Sequence, residues 1–136
     1  MLSNRSVPPC AVIPVLSYPD VGATADWLCK AFGFAVRLRI GNHRIQLKAG
    51  DGCIVLAEGN VPADTAHLVM VRVMDANSHH DRASKHGAQI LSPPTNFPFG
   101  ERQYNAKDFA GHRWTFTQSI ADVAPEEWGG TSVALE

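Results

Sequence analysis

Residues 19–34 read PDVGATADWLCKAFGF. Asp20 stands where a helix N-cap is wanted, because its short carboxylate can accept a hydrogen bond from a free amide of the first turn. Thr24, Trp27, Leu28 and Ala31 then share one face at helical spacing. Gly33 ends the run, since it tolerates the left-handed turn that closes many helices. The expected helix is 21–31. The same punctuation returns downstream, with Asp75 as cap, 76–86 as helix and Gly87 as stop.

Outward from each helix the chain alternates like β-structure. Residues 11–17 (AVIPVLS) predict a strand in which Pro14 withholds one amide, which suits a sheet edge or bulge. After the first helix, strands are expected at 34–40, 43–48 and 53–57, separated by turns at Gly41-Asn42 and Gly50-Asp51-Gly52. After residues 59–65 (GNVPADT), a polar segment, the pattern repeats. The strand 67–73 and the second helix are followed by a short strand at 89–91, a proline-rich loop at 92–100, and a hairpin of 101–107 with 112–118. The order is βαβββ twice, and internal repetition organises the whole chain. Asp20 pairs with Asp75, Gly33 with Gly87 and Gly52 with Gly111. The expected organisation is an arm at 1–10, a module at 11–58, a linker at 59–66, a module at 67–118 and a tail at 119–136. The fold class is α+β, a curved, cup-shaped mixed sheet with both helices on its outer face. The inner face is then free to form a trough, the concave form that ligands favour.

Composition narrows the function classes. The 136 residues are 45% hydrophobic and 18% charged, with a net charge of −1. Lys and Arg are scattered, so no nucleic-acid partner is indicated. No apolar run approaches the ~20 residues of a membrane span, and residues 1–10 (MLSNRSVPPC) lack the apolar stretch of a signal peptide. A cytoplasmic location is expected. Cys10, Cys29 and Cys53 are widely spaced without a Cys-x-x-Cys, and read as free thiols. No nucleophile–base motif or phosphate-binding glycine loop is present.

The doubled βαβββ module, the PD-x6-WL-x2-AFGF segment and the ending D-x2-GHRWTF (residues 108–116) resemble the vicinal-oxygen-chelate superfamily. That group includes glyoxalase I, extradiol dioxygenases, fosfomycin-resistance enzymes and bleomycin-resistance proteins. The resemblance implies a homodimer, with modules side by side or exchanged between chains, and a divalent metal held from homologous strand positions in the enzymatic members. Carried onto this chain, those positions fall on Ile13, Leu56, His67 and Thr115. Isoleucine, leucine and a neutral hydroxyl do not suit such an ion. The expectation is therefore no metal and no cofactor, with His67 a polar wall or strand-start residue. His79 and His80 are adjacent on a helix and point apart; with His43 and His86 they read as structural. His112 opens the last strand as a polar cap, with Trp114 and Phe116 facing the core.

Strand alternation places Ile13, Val15, Ser17, Arg44, Gln46, Ile54, Leu56, His67, Val69, Val71, Gln103, Asn105, Arg113 and Thr115 on the trough wall. Phe97 and Phe99 either cover its rim or pin the proline-rich loop to the body. Such a wall suits burial and stacking of a bulky aromatic molecule with a few directed hydrogen bonds. The expected function is a metal-free protein that sequesters a hydrophobic or aromatic small molecule. By the resemblance, this is a peptide antibiotic with planar chromophores, of the bleomycin, quinoxaline or thiocoraline type. The alternative is an isomerase, lyase or dioxygenase with a displaced metal site, or with Glu101 or His67 as base.

Overall fold

The computed structural model describes residue 2 and residues 4–60 and 67–134. Most of the expected linker, 61–66, lies outside the described residues. The elements are β1 (Val15–Tyr18), α1 (Val21–Phe32), β2 (Ala35–Ile40), β3 (Arg44–Ala49), β4 (Gly52–Glu58), β5 (Val69–Arg72), α2 (Ala76–Lys85), β6 (Gln89–Phe97), β7 (Glu101–Lys107) and β8 (Arg113–Ser119). One turn of 3-10 helix, Pro125–Glu127, lies in the tail. Among the described residues, no helix is long and apolar enough to cross a membrane.

The strands form two four-stranded sheets, ordered β1-β4-β3-β2 and β5-β8-β7-β6. Each has one parallel pair, β1 with β4 and β5 with β8, and the rest antiparallel. The repeat is thus a topological one. The helix ends form as the residue types dictate. Asp20 accepts from the Ala23 amide at 3.0 Å, and Asp75 from the Asn77 and Ser78 amides. Gly33 has φ 77° and donates to the Cys29 carbonyl. Arg82 of α2 donates to the carbonyls of Lys30 and Cys29, so one helix caps the C-terminus of the other.

One element departs from expectation. Residues 92–97 are not loop: β6 runs from Gln89 to Phe97, with register shifts between Ile90 and Ser92 and between Ser92 and Thr95. It is an edge strand, and its irregularities accommodate Pro93 and Pro94, whose missing amides need no partner there. β1, conversely, begins only after Pro14.

A single core joins both modules. Leu16, Tyr18, Ile45 and Leu47 from the first sheet meet Tyr104, Trp114 and Phe116 from the second, with Leu28 and Phe32 of α1 between them. Polar bonds cross the same boundary. Tyr18 OH donates to Asp108 Oδ2 at 2.6 Å, His112 Nε2 donates to the Ser17 carbonyl at 3.1 Å, and Trp27 Nε1 donates to the His86 carbonyl at 2.8 Å. His112 is the buried polar cap expected of it, its ring 4.7 Å from that of Tyr18.

His79 is the structural histidine expected of it. It faces inward, with Nε2 2.8 Å from the Phe32 carbonyl and Nδ1 bonded to Tyr104 OH. A carbonyl only accepts, so Nε2 carries the proton and Nδ1 accepts from the phenol. Charging the ring would put a second donor against that phenol, beside the Arg82 guanidinium. Burial, with a smaller contribution from Arg82, holds the His79 pKa below its ordinary value despite the Phe32 bond. A folded-state pKa below the unfolded one means that unfolding takes up protons. Stability is therefore full above about pH 6.5 and declines as pH falls through that value toward the folded pKa. Urea midpoints measured from pH 8 to pH 5 are expected to fall, and to fall less steeply in His79→Gln. Equal slopes would show that His79 is not the titrating group.

Candidate functional site

The helices cover one face of each sheet, and the opposite faces are open to other occupants. On the second sheet the alternation is regular. Tyr104, Ala106, Trp114 and Phe116 are in the core. Their neighbours Gln103, Asn105, Arg113, Thr115 and Thr117 therefore take the open face. These polar groups are cross-linked. Thr115 donates to Asn105, Asn105 Nδ2 donates to Ser92 Oγ at 2.6 Å, and Gln103 Nε2 donates to Thr117 Oγ1 at 3.1 Å. Thr117 also donates to Glu101 at 2.7 Å, and Arg72 pairs with Glu101 at 3.0 Å. Arg113 Nε is buried with no acceptor among the described residues.

Burial raises the pKa of Glu101, but hydrogen bonds from Ser119, Thr117 and Arg72, with the Arg72 charge, outweigh it and hold the carboxyl below its ordinary range. At neutral pH Glu101 is an ionised, engaged anion and a weak base. His67 is exposed and precedes β5. Neither is arranged as a general base.

Two strands correct the expected wall. Ile54 and Leu56 lie in the core, with Leu56 opposite Ile45 and Ile54 opposite Leu47. Cys53, Val55 and Ala57 therefore hold the open face of β4. The error comes from equating Gly52 with Gly111. The first hairpin closes directly from Ala49 to Gly52, whereas the second spans residues 108–112, so counting from the glycine reverses the faces. On β5, Val69 pairs with Trp114 and packs on the core with Val71. Met70, 56% exposed, and Arg72 take the open side. Val15, opposite Val55, and Ser17 stand on the open face as expected, while Ile13 is half-buried just ahead of β1. Thus Val55, Met70 and Cys53 are missed by the sequence reading.

The first sheet's open face is partly filled by the chain itself. Gln46 is 3% exposed because its Nε2 donates to the Ser6 carbonyl at 2.9 Å and its Oε1 accepts from Arg37. Arg37 also donates to the Arg5 carbonyl, and Pro8 is buried. The N-terminal arm therefore lies against this sheet. Beside it a cleft of about 810 Å³ opens toward the second sheet, with Val12, Pro14 and Cys53 on one side and Met70, Arg72 and Met74 on the other.

The turn between β6 and β7, at the other edge of the second sheet, is aromatic. Phe97 and Phe99 stack at 5.4 Å, and Phe99 meets Trp128 of the tail at 5.4 Å. Phe97 is 37% exposed and lies opposite Glu101. Gly100 brings the tail back, its carbonyl accepting from the amides of Ile120 and Ala121. Its φ is 85°, and a Cβ there would stand 2.4 Å from the Ala121 carbonyl oxygen, so glycine is required. Phe99 thus pins the β6–β7 turn to the tail, and Phe97 remains partly open.

This architecture is found elsewhere. The family model of the Glyoxalase/Bleomycin resistance protein/Dioxygenase superfamily matches residues 11–116. The chain belongs to this superfamily. Among solved structures it is similar to TioX from Micromonospora sp. ML1, with 31% identity and a TM-score of 0.70, covering 85% of this chain and 100% of that one. The hypothetical protein SA1046 from S. aureus shares 17% identity, with a TM-score of 0.66 and 79% and 92% of the two chains covered. The fosfomycin resistance protein FosX from Listeria monocytogenes shares 16%, with a TM-score of 0.67 and 87% and 94% covered. The last two likenesses concern the fold alone. No curated protein matches the sequence.

The superfamily's metal can be tested against the donors present. Among the described residues, no three His, Cys, Asp or Glu side chains converge. The open-face positions of β4, β5 and β8 carry Val55, Met70 and Thr115, and Glu101 is already held by Arg72 and Thr117. These groups do not fit a divalent ion.

Proposed function

We propose that the chain is a metal-free, cytoplasmic binding protein that sequesters a hydrophobic or aromatic small molecule, and that it works as a homodimer. The ligand class we favour is a peptide antibiotic with planar chromophores. The observation carrying this reading is an open face that pairs apolar groups with neutral hydrogen-bonding side chains where the superfamily's enzymes need metal donors. Val15, Met70 and Phe97 offer apolar surface. Gln103, Asn105 and Thr115 offer directed polar contacts, and the buried Arg113 Nε is a donor in want of an acceptor. Ser17 and Arg44 border the first sheet's share of the site. The exposed Val12 and Met74 are the kind of surface that a second copy covers.

Titration with a quinoxaline bisintercalator, followed by tryptophan fluorescence, tests the reading. Saturable quenching is expected. Trp128, 45% exposed on the tail, should carry most of it, because Trp114 is fully buried and Trp27 lies among the helices, its Nε1 donating to the His86 carbonyl. Trp128→Phe is expected to lose most of the signal. Met70→Ala should weaken binding about fivefold, the worth of ~1 kcal/mol of apolar surface. Light scattering on the same samples should report two chains per particle. No saturable change with any planar-chromophore antibiotic would overturn the ligand class. A stoichiometric divalent ion in protein purified without chelator would overturn the metal-free reading.

A further inference from the structure

Cys10 and Cys53 are far apart in sequence but meet where the N-terminal arm crosses β4. Their sulfurs are 2.9 Å apart, and Cys10 Sγ also lies 3.7 Å from the Asp51 carbonyl. Cys53 is buried on the sheet's open face, whereas Cys10 is half-buried on the arm. All three cysteines are free thiols, and Cys29 lies on α1. A disulfide needs its sulfurs to close by less than ~1 Å from this separation. The arm is otherwise held here by hydrogen bonds to the backbone carbonyls of Arg5 and Ser6 and by the burial of Pro8, none of which fixes the Cys10 side chain.

We propose that Cys10 and Cys53 form a redox-active dithiol whose oxidation fastens the N-terminal arm to the floor of the first sheet. The arm continues directly into Val12 and Pro14, one side of the 810 Å³ cleft, so the bond would fix that wall. The oxidant is a small-molecule disulfide. The Cys10 thiolate attacks one of its sulfurs, forming a mixed disulfide and expelling one thiolate. Cys53 then loses its proton to that thiolate and attacks Cys10 Sγ, releasing the second thiol. Two protein thiols and one small disulfide become one protein disulfide and two small thiols. The order of attack follows from access. Burial first, and then the neighbouring Cys10 thiol, raise the Cys53 pKa and leave it the slower thiol to start.

The full-length protein is treated with glutathione disulfide, then its free thiols are blocked and its mass measured. Wild type is expected to take up one blocking group in place of three, its titratable thiols falling from three to one, and to be about 2 Da lighter, two hydrogens, when left unblocked. Peptide mapping should join the segment holding Cys10 to that holding Cys53. Cys29→Ser should behave alike, falling from two thiols to none. Cys10→Ser and Cys53→Ser should form no internal bond; Cys53→Ser should accept glutathione on Cys10. Persistence of separate glutathione adducts on wild type, a crosslink that includes Cys29, or no reaction would each overturn the proposal. The result does not depend on whether any ligand binds.

Discussion

Asp108→Ala is expected to lower unfolding stability by about 3–4 kcal/mol and the urea midpoint by more than about 1 M. Asp108 is 4% exposed, and both of its oxygens are committed. Oδ2 accepts from Tyr18 OH at 2.6 Å and from Trp114 Nε1 at 3.1 Å. Oδ1 accepts from the amides of Ala110 and His112, both at 3.0 Å. One carboxylate therefore shapes the β7–β8 loop and ties it to β1 of the other module. Removing it strands the Tyr18 hydroxyl and the Trp114 indole N–H, both in fully buried side chains, and each orphan costs about 1–3 kcal/mol. Two milder changes divide the effect. Tyr18→Phe removes one donor and leaves the acceptor occupied by Trp114, so about 1 kcal/mol is expected. Asp108→Asn keeps an oxygen for the loop amides but turns an N–H toward Trp114, and should fall between the two. A loss below 1 kcal/mol in Asp108→Ala would mean that solvent replaces the carboxylate and that the modules are not joined there.

How much of this was readable beforehand depended on whether the information was local. Asp20, Gly33 and Asp75 act on amides and torsions within a few residues, and their helices form where expected. β7 and β8 alternate large apolar with polar side chains, so Tyr104, Trp114 and Phe116 separate cleanly from Gln103, Asn105 and Thr115. β4 reads CIVLA, apolar on both faces, and in the four residues of β5, VMVR, Arg72 alone breaks the apolar run, so hydrophobicity orients them poorly. The register with Ile45 and Trp114 decides, and register is a property of the assembled sheet. That same ambiguity has chemical content: Val55 and Met70 are apolar although they face away from the helices. Pro93 and Pro94 hid an edge strand because a proline's missing amide is harmful only where a neighbour requires it. His79 and the arm were out of reach for a different reason. Their partners, Phe32, Tyr104 and Gln46, are distant in sequence, and no spacing rule connects them.

Phe32→Ala is expected to cost about 3–5 kcal/mol, the usual range for emptying a buried aromatic site. Phe32 is 2% exposed and ends α1, so its ring enters the space between the modules. Its neighbours come from both: Trp27 at 5.2 Å and Phe34 at 5.8 Å from the first, Phe116 at 4.8 Å, Trp114 at 5.5 Å and His79 at 6.1 Å from the second. Four of these contacts are tilted or edge-on, an arrangement worth more than area alone. These partners are themselves held: Trp114 by Asp108, and His79 by Tyr104 and by the Phe32 carbonyl. The site therefore cannot collapse readily, which puts the cost toward the upper end of the range. Phe32→Leu refills most of the volume and should lose only about 1–2 kcal/mol. Phe109→Ala is the control: that ring also touches Tyr18 and Trp27, but it is 61% exposed, and less than about 1 kcal/mol is expected. Near-ultraviolet circular dichroism should change more in Phe32→Ala than in Phe109→Ala, because only the first loosens the packing around Trp114, whereas the second alters Trp27 and Tyr18 from the solvent side. If Phe32→Ala and Phe109→Ala cost the same in urea, the modules do not share one core and the junction described here is wrong.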